Sequence, residues 1–233
     1  MKDETMTRAS AERALKLGLL GGVLTLIGDL LIGAVRFPEG VNMLEGYLAG
    51  ALAMPVWRPI LGGLIGFLGI CLEFPGLMTI YPLLRPQMKR GAAFYRLAMY
   101  VYLAVAGGAV HLPCGAMLWL YHAAADLAGT DAARTLAMQY MMYFLMPAGA
   151  VFLFFFYGAG VIQFVAFVRG KTPFPRWYAV FNLLIGQFVF NSVRLLGSSA
   201  VVTGIATSNK SLGALAMFAA LLLGWKKYAG ERL

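Results

Sequence analysis

The sequence predicts an all-α fold, a polytopic membrane bundle of six transmembrane helices with an interfacial helix on the extracytoplasmic side. Three observations lead to this prediction. Apolar residues make up 61% of the 233 residues and charged residues only 12%. The mean hydropathy is +0.75, far above that of soluble domains. The apolar residues fall into long runs, several of them near the length of about 20 residues that crosses a bilayer as a helix. We expect a single integral membrane domain over residues 1–233.

The six predicted spans follow one another with short connections. They cover about 17–35, 59–84, 97–124, 147–168, 177–196 and 211–225. Ser10 is the predicted N-cap of a basic segment before the first span. Asn42 followed by Glu45 resembles a capping box, which predicts the interfacial helix between the first two spans.

Two features interrupt the apolar runs. Proline inside a helix removes a backbone donor and bends the chain, so we expect bends at Pro75 and Pro113. The fourth apolar run covers 135–168 and is too long for one perpendicular span. We therefore predict a break at Pro147, with the methionine-rich part before it at the outer surface.

The positions of the basic residues predict the orientation. Of the nineteen lysines and arginines, four lie before the first span, four in 85–96, three in 169–176 and three in the tail. Those four segments share one side if all six spans cross, and cytoplasmic loops carry the excess of basic residues. Both termini are thus predicted to be cytoplasmic, in the cytoplasmic (inner) membrane.

The fifth run, WYAVFNLLIGQFVFNSVRLL, carries the most polar groups of any span. In a continuous helix, Gln187, Asn191 and Arg194 fall within an arc of roughly 60°. A charge in hydrocarbon costs at least a few kcal/mol, so this stripe is expected to face protein or a wet cavity. Asp29 in the first span lies at a comparable depth, and we predict that it pairs with Arg194.

Three further ionisable side chains, Glu73, His111 and His122, complete the candidate site. Counting 1.5 Å per residue places Glu73 and His111 at one deep level with Gln187, whereas Asp29 and His122 lie nearer the outer surface. We predict Glu73, His111 and Asp29 as catalytic residues. The predicted substrate-binding residues are Gln187, Asn191, Arg194 and His122.

Each of these residues also has a structural interpretation. The Asp29–Arg194 pair can fix helix packing, and a protonated Glu73 can bond a carbonyl group freed by Pro75. His111 can be a neutral packed side chain and His122 a headgroup-level anchor. Asn182 points away from the stripe and is predicted to form a helix-packing hydrogen bond.

Several classes of site are excluded or disfavoured. The sequence has no H-E-x-x-H, G-x-S-x-G or Walker motif. His111 and His122 lie roughly 16 Å apart along one helix, too far to share a zinc ion, so no metal and no cofactor is predicted. Every lysine is placed outside the spans. Basic residues at helix ends explain the net charge of +9 without a nucleic-acid partner, and Cys71 and Cys114 are interpreted as buried apolar side chains.

Two short stretches carry a resemblance. GDLLIG at 28–33 and PRWYAVFNLL at 175–184 resemble a set of small bacterial multi-pass membrane proteins without an assigned activity. A family without an activity implies no catalytic residues. In type, short helices with buried Asp, Glu and His also resemble membrane-bound terpene cyclases and sterol isomerases, which implies a hydrophobic substrate.

These observations support three functional hypotheses. The first is an intramembrane enzyme that acts on an isoprenoid or other lipid-like substrate, with Glu73 as general acid and His111 as base or orienting partner. The second is a small proton-coupled transporter, and the third is a non-catalytic membrane partner protein. The expected partner is a membrane lipid or a hydrophobic small molecule. The sequence leaves the oligomeric state open.

Overall fold

The computed structural model describes residues 6–38 and 40–230, and within them the chain is helical with no strand. Four helices are long and apolar enough to cross a membrane, and a helix pair bent by 58° adds a fifth crossing if the two halves count as one. This confirms a helical bundle of the membrane type. The helices are α1 Arg8–Gly33, α2 Met43–Ala53, α3 Trp57–Leu84, α4 Lys89–Ala128, α5 Thr130–Val168, α6 Leu183–Leu196, and the bent pair α7 Ala200–Thr207 and α8 Asn209–Tyr228.

Helices α1 and α3 pack with their backbones in contact along a stripe of glycines. A Cβ atom on Gly21 would lie 2.5 Å from the backbone nitrogen of Glu73, and one on Gly28 would lie 2.7 Å from the Gly62 carbonyl oxygen. Small residues allow such a close approach of two helices. The close contact brings the polar side chains of both helices into one region.

The helix starts confirm one predicted cap and correct another. Asn42 accepts a hydrogen bond from the Glu45 backbone at 3.0 Å, as the capping box predicted. The predicted N-cap at Ser10 is wrong, because α1 begins earlier and the Thr7 hydroxyl caps it, accepting from the Ser10 backbone at 3.2 Å. Threonine is as suitable a cap as serine, so the first threonine upstream takes the role.

The predicted break at Pro147 is also wrong. Helix α5 continues through it, and a π-helical turn, Met141–Leu145, immediately precedes it. A similar but longer π-helical segment, Tyr102–His111, precedes Pro113 in α4. Proline cannot donate to the preceding turn, and a local π adjustment lets the helix continue without that bond.

The fifth apolar run is not one continuous helix. A 3-10 helix, Arg176–Phe181, comes first, and Asn182 is extended and caps α6. Residues Ser192–Leu196 at the end of α6 form another 3-10 turn. The predicted continuous helix over this run is therefore wrong. Asn191 and Arg194 still share a face, since Arg194 donates to Asn191 at 3.1 Å, but Asn191 is exposed rather than turned toward a cavity.

The two ends of the bundle can be recognised by their contacts. At one end, the backbone of Phe37 donates to Ser198, and the Thr203 hydroxyl donates to Val35. At the other end, the rings of Phe174 and Trp225 lie 5.8 Å apart. The chain between 174 and 198, including α6, thus passes from one end of the bundle to the other.

Candidate functional site

A small polar cavity lies inside the bundle between α1, α3, α4, α5 and the α7–α8 bend. Its volume is about 60 Å³, room for a few waters, since one water needs about 10–15 Å³ of such space. Its lining residues are Thr25, Asp29, Ile70, Tyr102, Ala106, Val110, His111, Phe152, Thr207 and Lys210.

Asp29 is the acidic group of this cavity. Its Oδ2 accepts a hydrogen bond from the Ser211 hydroxyl at 2.8 Å, and its Oδ1 lies 3.6 Å from His111 Nδ1. The Asp29 and His111 side chains are only 15% and 12% exposed. The 3.6 Å separation is longer than a hydrogen bond, but a carboxylate that faces an imidazole is the pair of groups that general acid/base chemistry uses.

A glycine on α3 determines the position of the His111 ring. Its Nε2 lies 3.2 Å from the Gly62 carbonyl oxygen and donates to it, because a carbonyl oxygen only accepts. A Cβ atom on Gly66 would lie 1.8 Å from the same nitrogen, so the ring occupies the space that a side chain would need. His111 thus presents Nδ1 to Asp29.

Lys210 brings a cation into the cavity. It is the second residue of α8, and its Nζ lies 4.6 Å from the centre of the Phe152 ring. Within the described part of the chain, no hydrogen bond or ion pair to its ammonium group is found. The sequence analysis placed every lysine outside the spans, and for Lys210 this is wrong, because α8 begins two residues before the predicted sixth span.

Glu73 lies beside the cavity and is connected to it through Tyr102. The Tyr102 hydroxyl donates to Glu73 Oε2 at 2.5 Å, and Tyr102 itself lines the cavity. Glu73 is 1% exposed, and its Oε1 has no hydrogen-bond partner among the described residues. Glu73 and His111 were predicted to face one cavity. The structure places only His111 on it directly.

The π-helical segment of α4 explains why Tyr102 and His111 line the same cavity. They are the first and last residues of this segment. At the α-helical turn of 100° per residue they would point in opposite directions. A π-helix bonds residue i to i+5 and turns roughly 82° per residue, so the two side chains return to within about 20° of each other.

An apolar cavity of about 330 Å³ adjoins the polar one. The two share Thr207, and each of α1 and α4 contributes to both, with Ile32 and Cys114 following Asp29 and His111 by three residues. Residues three positions apart lie about one helical turn from each other on the same face of a helix. The remaining lining residues of the apolar cavity are Leu44, Tyr47, Met117, Leu118, Met141, Leu145 and Met146.

The predicted substrate-binding residues on α6 lie away from both cavities. Asn191 is exposed and accepts from Arg194 at 3.1 Å, and Gln187 donates to the Tyr157 hydroxyl at 3.4 Å. The predicted Asp29–Arg194 pair is absent among the described residues, where Asp29 contacts Ser211 and His111 instead. Arg194 bonds Asn191 on the exposed side of α6, so it does not reach Asp29.

His122 and Asn182 hold helices together. His122 Nε2 donates to the Ala51 carbonyl near the end of α2, and His122 lines neither cavity. Asn182 donates to Gly160 and to Gln163 on α5 at 2.9 and 3.1 Å, which confirms the predicted packing role.

Sequence reasoning missed Tyr102, Lys210 and Ser211. Tyrosine in a membrane span resembles ordinary packing, and the π-helical turn that directs Tyr102 inward has no simple sequence signature. Lys210 and Ser211 follow Asn209 in the polar stretch SNKS, which is typical of a loop. One usable signal was present, because a lysine beside an apolar run of membrane length can belong to its first turn.

The comparisons with known proteins add one finding. A family described as "Family of unknown function (DUF6796)" matches residues 1–228 of the chain. No curated protein and no solved structure matches the chain. The matched stretch ends at Tyr228, the last residue of α8, so every residue of both cavities lies within it.

Proposed function

We propose that this chain, which belongs to DUF6796, a family of unknown function, is an intramembrane enzyme that acts on a lipid-like substrate by general acid/base chemistry. One observation supports this most directly. A polar cavity with Asp29, His111 and Lys210 borders a larger apolar cavity at Thr207, which lines both. A volume of about 330 Å³ lies at the lower end of the range of ligand pockets, which is about 300–1,000 Å³.

Each polar group has a role in this proposal. Asp29 takes and returns the proton at the reacting carbon or oxygen atom, and His111, whose Nε2 bonds Gly62, faces it through Nδ1 and stabilises its charge. Lys210 stabilises negative charge that develops on the substrate. Glu73 acts through the Tyr102 hydroxyl rather than by touching the substrate, so its part is to position Tyr102 and to exchange a proton with it.

The proposed membrane topology has six crossings with both termini in the cytoplasm of the producing cell. Helix α6 has fourteen residues, and its α-helical part has nine. Alone it is short for a bilayer, but the 3-10 helix Arg176–Phe181 precedes it. The contacts that place 174 and 198 at opposite ends of the bundle support a crossing there. Helix α2 is then an interfacial helix that covers the apolar cavity with Leu44 and Tyr47.

A proton-coupled carrier is the second candidate, and a different observation favours it. Polar groups extend from Asp29 through the cavity to Tyr102 and Glu73. The bend of 58° between α7 and α8 lies beside that cavity, and discontinuous helices are typical of transporter binding sites.

The experiment that tests the enzyme proposal follows proton exchange into lipid. The purified protein is incubated in D₂O with vesicles of total membrane lipid, and the deuterium content and mass of each lipid species are measured by mass spectrometry. We expect one lipid class to change with the wild-type protein and to stay unchanged with Asp29→Asn and His111→Gln. No change in any lipid, together with proton flux across the vesicles, would favour the carrier.

A further inference from the structure

Lys210 has an ammonium group without an acceptor. It lines the polar cavity at Thr207, where the apolar cavity begins, and its one described side-chain contact is with the Phe152 ring. A charged group inside a protein is unfavourable when it has no hydrogen-bond partner. We infer that the ligand of these cavities is a single-chain lipid with a carboxylate head, and that Lys210 binds this head. This inference rests on the proposed function.

The charges around the cavity favour an anionic head. Asp29 attracts the Lys210 ammonium group across the cavity, but no hydrogen bond joins them, and the Asp29 oxygens face Ser211 and His111 instead. The Lys210 ammonium group is therefore left without a hydrogen-bond acceptor among the described residues. The carboxylate of a ligand supplies that acceptor through a charge-assisted hydrogen bond.

The size of the polar cavity separates a carboxylate from larger heads. About 60 Å³ holds a few waters, and the three heavy atoms of a carboxylate displace a similar number. A phosphodiester headgroup has more heavy atoms, so the carboxylate is the closer match to this volume. The hydrocarbon chain would extend from Thr207 into the apolar cavity. It would pass Ile32 and Cys114 first and then reach Met117 and Leu118.

Photolabelling tests this inference. Three probes of equal chain length carry a diazirine at the tail and differ only in the head, which is a carboxylate, an alcohol or a primary amine. Each is added at equal membrane concentration to the full chain in vesicles, and peptide mass spectrometry locates the label. Met117 and Leu118 are 6% and 2% exposed, so a label there reports the cavity rather than the lipid-facing surface.

We expect the carboxylate probe to label Met117 and Leu118 about tenfold more than the alcohol, and the amine least, because a hydrogen bond to a charged group is worth about 1.5–3 kcal/mol. Lys210→Gln should abolish the difference between the heads, and Lys210→Arg should retain it. Lys226→Gln is the matched control, since Lys226 is exposed at the far end of the same helix.

The outcomes separate this inference from the proposed function. Equal labelling of Met117 and Leu118 by all three probes would overturn the carboxylate inference and leave the lipid-binding cavity in place. Labelling confined to lipid-facing residues with every probe would overturn both. Carboxylate preference that persists in Lys210→Gln would assign the head to another group and overturn the role of Lys210.

Discussion

Tyr102 and His111 stand at the two ends of one π-helical segment, and both side chains line the polar cavity. Tyr102 connects the cavity to Glu73, and His111 connects it to Asp29. An α-helix would turn one of the two side chains away. The π-helical geometry of α4, which ends just before Pro113, is therefore what joins the two acidic residues to one cavity.

The bond between Tyr102 and Glu73 should contribute to stability. Tyr102→Phe removes a hydroxyl that donates to the Glu73 carboxyl group, which is 1% exposed. Leaving a buried acceptor unsatisfied costs about 1–3 kcal/mol, so we expect a lower unfolding temperature in detergent. Tyr121→Phe is the matched control, because Tyr121 is buried on the same helix and its hydroxyl has no hydrogen bond among the described residues. Equal losses in the two variants would contradict the role of Tyr102.

A methyl group on Gly66 should expel the His111 ring. The added Cβ would lie 1.8 Å from Nε2, so the bond to Gly62 and the approach to Asp29 are both lost. Overpacking of this kind costs about 1–3 kcal/mol. We expect Gly66→Ala to lower the unfolding temperature in detergent and to abolish the lipid chemistry.

Two variants control this experiment. Gly108→Ala adds the same group on α4 where nothing lies within 4 Å, and it should leave the unfolding temperature nearly unchanged. The double variant Gly66→Ala with His111→Ala should regain stability, because the ring no longer competes for the space. A double variant less stable than Gly66→Ala alone would show that the glycine serves backbone packing instead.

Part of the site follows from the sequence for an energetic reason. Charged groups are costly in hydrocarbon, so Asp29, Glu73 and His111 in apolar runs were expected inside the bundle. The structure places all three there, with Glu73 the most buried. The fold class follows for a similar reason, because hydropathy alone identifies helices that can cross a membrane.

The rest of the site depends on helix geometry that composition does not reveal. The polar stripe of Gln187, Asn191 and Arg194 was expected to face protein or a wet cavity, yet Asn191 is exposed and bonds Arg194 on the outer side of α6. Tyr102 entered the site through a π-helical turn that widens the helix. An α-helix and a π-helix differ by about one residue per turn, and this difference decides which side chains meet.

The six-crossing topology is tested by reporter fusions. Fusions after Arg90 and Arg176 should read cytoplasmic, and a fusion after Thr130 should read extracytoplasmic, because the basic connections lie on the cytoplasmic side. A fusion after Ser198 should read extracytoplasmic and tests α6 separately. If α6 does not cross, that last reporter reads cytoplasmic while the other three stay as expected.

The last prediction concerns which residue is the partner of Asp29. Residues in direct contact show coupled effects on stability, whereas separated residues show additive ones. Asp29 contacts His111 and Ser211, and Arg194 contacts Asn191. We therefore expect the double-mutant cycle of Asp29→Asn with His111→Gln to give a coupling free energy of about 0.5–3 kcal/mol.

The cycle of Asp29→Asn with Arg194→Gln serves as its matched control. Its two effects on the free energy of unfolding should add to within about 0.5 kcal/mol, since no bond joins the two side chains. Reversible unfolding in mixed micelles provides both measurements. Coupling between Asp29 and Arg194 that exceeds the coupling between Asp29 and His111 would restore the ion pair and remove the acid/base pair on which the proposed chemistry depends.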